Sequence, residues 1–261
     1  MSFQTVFQRY ELKYLLTPEQ KAAVRQAMAP YMELDRYGRT TIRNIYFDTD
    51  NYRLVRRSIE KPIYKEKLRV RSYRQAGPET PVFVELKKKY KHVVYKRRIA
   101  LPEQEAMAWL QGGEKGVCGM NEPSPEQRQI FREVEYFLNY YETLTPAVFL
   151  SYEREAYCTR EPSDFRVTFD ERILCRREEL SLEAGISGGE LLPENMTLME
   201  IKCAGGIPLW MTHVLTKEHI YKTSFSKYGT AYQRMIYPAI WRGFQAGTMP
   251  AGNEREAVCY G

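Results

Sequence analysis

Along residues 64–101, charge alternates where a soluble protein ordinarily alternates apolar side chains. In Tyr64-Lys-Glu-Lys-Leu-Arg-Val-Arg-Ser-Tyr73, the cations Lys65, Lys67, Arg69 and Arg71 fall at every second position. A period of two places them on one face of a strand. After the turn-rich Gln75-Ala-Gly-Pro-Glu79, residues 82–89 put Glu85, Lys87 and Lys89 on one face, and residues 93–99 do the same with Lys96 and Arg98. Rows of like charge repel across a sheet, so they persist in solvent or where something anionic neutralises them. A solvated outer face explains one such strand. Three in succession favour a concavity that holds phosphate.

The same inversion recurs elsewhere. Residues 7–15 set Arg9, Glu11 and Lys13 against Tyr10, Leu12 and Tyr14, and residues 41–49 carry Arg43 on one face before the turn residues Asp48-Thr-Asp-Asn51. Later β-rich runs at 147–157, 165–170 and 198–203 pair Tyr152 with Arg154, Arg166 with Thr168 and Asp170, and Glu200 with Lys202. Between them, Thr17-Pro-Glu-Gln20 and Ser124-Pro-Glu-Gln127 supply an N-cap, a proline at the first helical position and a glutamine at the third. They predict helices to about Met28 and Tyr141. Shorter helices are expected over 101–110, stopped by Gly112-Gly113, over 208–220, and from Ser226 onward, with a loop before Glu122. Trp109, Trp210 and Trp241 read as packing residues.

With 43% hydrophobic residues the chain can bury a sizeable core. No composition shift divides it. We expect one domain over 1–242 and a partly disordered tail over 243–261. The fold class predicted is α+β: an antiparallel β barrel of about eight strands with helices packed outside. Five scattered cysteines and three histidines argue against both a zinc site and a disulfide framework. They fit a reducing, cytoplasmic setting. A membrane segment and a signal peptide are not expected.

No Walker A, GxGxxG, GxSxG or HExxH pattern occurs. What remains, many Lys and Arg with a few Glu on strand faces, suits phosphoryl chemistry, where charge compensation and positioning matter more than a nucleophilic side chain. Carboxylates on such faces suit Mg²⁺ or Mn²⁺, hard ions that take oxygen ligands.

The motifs Arg9-Tyr-Glu-Leu-Lys-Tyr14, Ile45-Tyr-Phe-Asp48, Leu68-Arg-Val-Arg71, Val84-Glu-Leu-Lys87, Tyr152-Glu-Arg154, Phe165-Arg-Val-Thr168, Met199-Glu-Ile-Lys202 and Ser224-Phe-Ser-Lys-Tyr228 occur in that order. Together they resemble the catalytic domain of the vacuolar transporter chaperone (VTC) polyphosphate polymerases, which belong to the triphosphate tunnel metalloenzymes, or CYTH superfamily. The resemblance implies a tunnel barrel whose basic interior grips ATP, another triphosphate or an inorganic polyphosphate chain. By position it implies Lys13, Arg69, Arg71, Lys87, Lys96 or Arg98, Arg154, Arg166 and Lys227 as phosphate ligands. It also implies Glu200 as the ligand of Mn²⁺ or Mg²⁺, and Tyr152 as a ring that stacks on a base at the mouth. Strand parity adds Arg43 and Lys202 as substrate contacts and Glu11 and Glu85 as accessory metal ligands. For those two acids a salt bridge to neighbouring Lys or Arg is an equal alternative.

Two departures from the family pattern stand out. Ser224 occupies the place of a second lysine, with Lys222 in a different phase. The membrane segment and phosphate-sensing domain of the eukaryotic polymerases have no counterpart here, so synthesis coupled to translocation is not expected within this polypeptide. The resemblance favours ATP-driven polyphosphate synthesis. A triphosphatase or short-chain polyphosphatase, in which water replaces the phosphate nucleophile, and a non-catalytic polyphosphate-binding module are the alternatives. Nucleic acid is not expected as a partner, since Glu residues on the basic faces repel its backbone. Lys65 and Lys67 are expected at the rim.

Overall fold

The computed structural model describes residues 10–91, 93–113 and 123–245. The chain opens with β1 (Tyr10–Leu16), α1 (Pro18–Met28), β2 (Met32–Asp48) and α2 (Arg53–Ile59), followed by β3 (Tyr64–Ser72), β4 (Pro81–Tyr90) and β5 (Val93–Pro102). Two helices, α3 (Glu103–Leu110) and α4 (Pro125–Tyr141), lead to β6 (Thr145–Thr159), β7 (Arg166–Arg176), β8 (Gly189–Glu190) and β9 (Thr197–Cys203). The described chain ends with α5 (Leu209–Lys217), β10 (Lys222–Thr223), α6 (Lys227–Ala231), a π-helical turn (Tyr232–Ile236) and α7 (Tyr237–Gln245). Residues 7–9 of the expected first strand, the expected loop at 114–122, His92 and residues 246–261 of the expected tail lie outside the described residues. Residues 243–245 belong to α7.

Both predicted capping boxes form. Thr17 and Ser124 accept from the backbone of Gln20 and Gln127, whose side chains reach back to the cap residues. The strands make one antiparallel sheet in the order β10-β1-β9-β7-β6-β2-β3-β4-β5, with β8 on β7. The architecture is the α+β antiparallel one expected, with ten strands among the described residues instead of about eight. It is a curled sheet with an open seam instead of a closed barrel. β5 and β10 are its edges, and side chains bridge the gap, Lys87 of β4 donating to Glu11 of β1 at 3.2 Å.

Period-two alternation sorts the side chains. On the outer face, Leu68, Val70, Val82, Val84 and Leu86 pack under Trp109, Phe131, Val134 and Phe137 of α3 and α4. Tyr14, Val167, Phe169, Met199 and Ile201 pack under α1 and α5. The helices therefore take the apolar face, and the polar face is left for the concave side. There, at one end, Tyr228, Ala231, Tyr232 and Ile236 pack on Ile42, Tyr46, Val148 and Leu150, so α6 and the π-turn sit inside the curl. Asp48 pins α6 to the start of α2: its carboxylate accepts from Thr49, Leu54 and Val55 N–H groups and from the Tyr228 hydroxyl at 2.8–3.0 Å.

Candidate functional site

The concave face is a channel of ion pairs drawn from seven strands and α6. Its first group centres on β4. Glu85 is 1% exposed and sits opposite Arg69 on β3 and Arg98 on β5. Arg69 donates to it through Nε and Nη2 at 2.8 and 2.7 Å, Lys96 lies at 2.6 Å, Arg98 at 3.5 Å and Arg71 at 3.9 Å. Burial alone would raise its pKa, but Arg69, Arg71 and Lys96 hold it well below the usual range. Neutral groups fix the two arginines. The Tyr46 hydroxyl accepts from Arg69 at 2.7 Å, while Asn44 Oδ1 and the Tyr152 hydroxyl accept from Arg71 at 2.9 and 3.1 Å.

The second group joins β1, β6, β7, β9 and α6. Arg154 makes a bidentate pair with Asp170 at 2.6 and 2.7 Å. Lys227, the first residue of α6, reaches Asp170 at 2.5 Å and Glu200 at 3.0 Å. Glu200 also faces Lys13 at 3.5 Å, Arg154 at 3.6 Å and Lys202 at 3.8 Å. Burial opposes ionisation of Glu200, yet Lys227, Lys13, Lys202 and Arg154 keep it well below the usual carboxylate range. The reciprocal holds for Lys227: burial disfavours its charge, and Asp170 and Glu200 raise its pKa above the ordinary value. Lys87 is the main cause of the lowered Glu11 pKa, and Lys13 stands between Glu11 and Glu200, 3.5 Å from each.

Between the groups, lysines of β3, β4 and β5 face one another. Lys67 is directly opposite Lys87 and Lys65 opposite Lys89, while Lys87 is also opposite Lys96 on β5. Directly opposed like charges destabilise a sheet. Lys67 Nζ donates to Ser226 Oγ at 3.1 Å, and no carboxylate lies within ion-pairing distance among the described residues. Burial, with Lys13, Lys87, Lys65 and Arg69 around it, brings its pKa down to about 7.

The structure thus brings together Lys13, Arg69, Arg71, Lys87, Lys96, Arg98, Arg154, Lys202, Lys227, Glu11, Glu85 and Glu200. Arg166 faces the same way, opposite Lys202 at an exposed position. Four expectations change. Arg43 lies on the opposite face, because Asn44 and Tyr46 are the inward residues of β2, and its guanidinium donates to the Leu182 and Ala184 carbonyls at 3.2 and 2.7 Å. Tyr152 is 3% exposed, its ring beneath Lys227 and Arg154 and its hydroxyl on Arg71, so it is not a free stacking surface at a mouth. Lys67 lies within the channel, not at its rim. Glu85 shares no ion-pair partner with Glu200 or Glu11 and is enclosed by cations. Asp170, Tyr46 and Asn44 are participants that motif reading passed over. Asp170 was visible only as the third residue on the Arg166–Thr168 face.

Fold and site together define a class: an antiparallel tunnel-type sheet with a cationic interior. The model of the VTC domain matches residues 8–236, and the chain belongs to the VTC domain family. No curated protein sequence matches it. Among solved structures, a candidate adenylate cyclase from Bacillus halodurans is similar at a TM-score of 0.50 and 16% identity, over 89% of this chain and 99% of that one. A candidate adenylyl cyclase from Hippeastrum with a dominant triphosphatase activity is similar at 0.46 and 15%, over 92% and 97%.

Proposed function

We propose that this chain is a metal-dependent phosphoryl-transfer enzyme. It binds ATP and inorganic polyphosphate in the channel, and a terminal phosphate oxygen of the polyphosphate takes the γ-phosphoryl group as the β–γ anhydride bond breaks and ADP leaves. The observation that carries this reading is the set of opposed, inward-facing lysine pairs, Lys67 with Lys87 and Lys65 with Lys89. Turning such pairs toward each other sets like charges opposite one another, with Glu11 offsetting Lys87 alone, so the row favours an anion, and a linear phosphate chain supplies one negative charge per unit along it. Arg69, Arg71, Arg154 and Lys227 are pre-set by Tyr46, Asn44, Tyr152, Asp170 and Glu200. They need little reorganisation to meet phosphate oxygens, which is where transition-state charge develops.

Among the described residues, no group of three or more His, Cys, Asp or Glu side chains converges to cage a metal. The donor set does fit an ion carried in by the substrate, since Mg²⁺ and Mn²⁺ in phosphoryl-transfer sites use one or two carboxylates plus phosphate oxygens. Glu200 and Glu11, which share Lys13, would hold it; Glu85 shares no ion-pair partner with either among the described residues. When bound, such an ion would supply positive charge that offsets the charge on the phosphate oxygens. The test is to incubate purified protein with ATP, Mn²⁺ and a short polyphosphate primer and resolve chain length on a gel. Longer chains are expected. Shortening without elongation would replace synthesis by hydrolysis, and no turnover would leave a binding module.

A further inference from the structure

The two ends of the channel differ in chemistry. β3 carries Lys65, Lys67, Arg69 and Arg71 along the inner face, and β4 returns Phe83, Glu85, Lys87 and Lys89 opposite them. At the Lys65–Lys89 end the inward positions of these strands are lysines, and Tyr64, Tyr90 and Tyr95 alternate to the outside. At the other end the inward residue of β4 is Phe83, opposite Arg71. The Arg98 guanidinium lies over the Phe83 ring, 3.4 Å from its centroid, and donates to the Tyr73 hydroxyl at 3.0 Å. Tyr73 meets Phe83 edge-on at 5.6 Å. Tyr73 is 40% exposed and the Arg98 side chain 34%.

An arginine backed by one ring and bordered by another presents a flat cationic surface, and nucleobases stack on such surfaces whatever their edge pattern. This surface adjoins the phosphate grip directly, because Glu85 holds Arg98, Arg69 and Arg71 in one ion-pair group. Tyr152 has no such face, with Lys227 and Arg154 against it. We propose that Tyr73, Arg98 and Phe83 form the nucleobase seat of this channel, so that a nucleoside triphosphate lies with its base at the Tyr73 end and its phosphates directed toward Arg69, Arg71 and the lysine rows. The proposal rests on the nucleotide-binding reading above and adds two properties. The site has a polarity, and its preference among purine bases is weak, since stacking reads the π-face and not the edge.

The test is calorimetric titration of ATP, GTP and inorganic tripolyphosphate into the unmodified chain, Tyr73→Ala and Tyr73→Phe. Losing one base–aromatic stack weakens binding by roughly tenfold or more. ATP and GTP affinities should both fall by that factor in Tyr73→Ala. Tripolyphosphate affinity should stay within about twofold, and Tyr73→Phe, which keeps the ring, should bind ATP nearly as well as the unmodified chain. Equal losses for ATP and tripolyphosphate, or undiminished ATP binding in Tyr73→Ala, would overturn the seat. Failure of tripolyphosphate to bind the unmodified chain would instead overturn the anion-channel reading, and the seat with it.

Discussion

Replacing Glu85 by Gln should make the free protein weaker and its grip on phosphate stronger. In the unmodified chain, Glu85 receives two charge-assisted hydrogen bonds from Arg69. A neutral amide oxygen weakens each by about 1 kcal/mol. Arg71, whose side chain is 8% exposed, also loses its counter-ion. Lys96 and Arg98 are more than a third exposed or close to it and are screened by solvent, so they add little. The sum is about 3 kcal/mol, the range for breaking a buried ion pair. For a domain of this size, that lowers the melting midpoint by roughly 6–12 °C. Tripolyphosphate restores the missing negative charge, so saturating ligand should raise the midpoint of Glu85→Gln by several degrees more than that of the unmodified chain. Thermal melts with and without tripolyphosphate, free of divalent ions, read both quantities. A variant that melts normally, or that loses tripolyphosphate affinity, would refute this account of Glu85 as the internal counter-ion of the grip.

Three further outcomes follow from the same geometry. Lys67, held near 7, is largely neutral above that pH in the free protein and is driven to the ammonium form by a bound polyanion. Binding should therefore take up a proton, and affinity should fall as pH rises from about 7 toward 10. Calorimetry at pH 8 in buffers of different ionisation enthalpy should show that uptake and lose it in Lys67→Arg. Glu200→Gln should abolish chain elongation while retaining tripolyphosphate binding measured without metal, because Lys13, Lys202 and Lys227 each lose one competing carboxylate; lost binding would contradict it. Asp48→Asn removes one acceptor oxygen from the α2–α6 pin and faces an amide donor toward the Val55 N–H. It should cost about 2 kcal/mol in urea unfolding and weaken tripolyphosphate binding by displacing Lys227, whereas a purely local helix defect would leave binding intact.

The charged face was legible wherever a strand is regular. Alternation alone placed Glu11 and Lys13, Arg69 and Arg71, Glu85 and Lys87, Lys96 and Arg98, and Glu200 and Lys202 on a common side, because the outer helices demand the apolar partners of each strand. It misled at Arg43. In β2 the inward row is Ile42, Asn44 and Tyr46, so Arg43 belongs to the outer face, where loop carbonyls take it. It also stopped too early in β7, which continues to Arg176 past an irregularity in its pairing with β6, where Arg172 takes a φ of +46°; a non-glycine in that region gives no sequence signal. α2 was missed because it spans only Arg53–Ile59, starts from a left-handed Tyr52 and borrows its cap from Asp48 at the end of the preceding strand. The open seam was invisible for a related reason: side-chain bridges across it, such as Lys87 to Glu11, join residues far apart in sequence.

The central claim is that the inner cations, and not the basic surface at large, hold the phosphate chain. It is tested most directly by calorimetric titration of tripolyphosphate into two charge-matched variants. Arg69→Met removes an inner cation, and Arg97→Met removes an outer one paired with Glu133 beside it on α4. The account predicts at least tenfold weaker binding in Arg69→Met, the loss of one charge-assisted contact of about 1.5–3 kcal/mol, and unchanged binding in Arg97→Met. Equal losses in the two variants would contradict it.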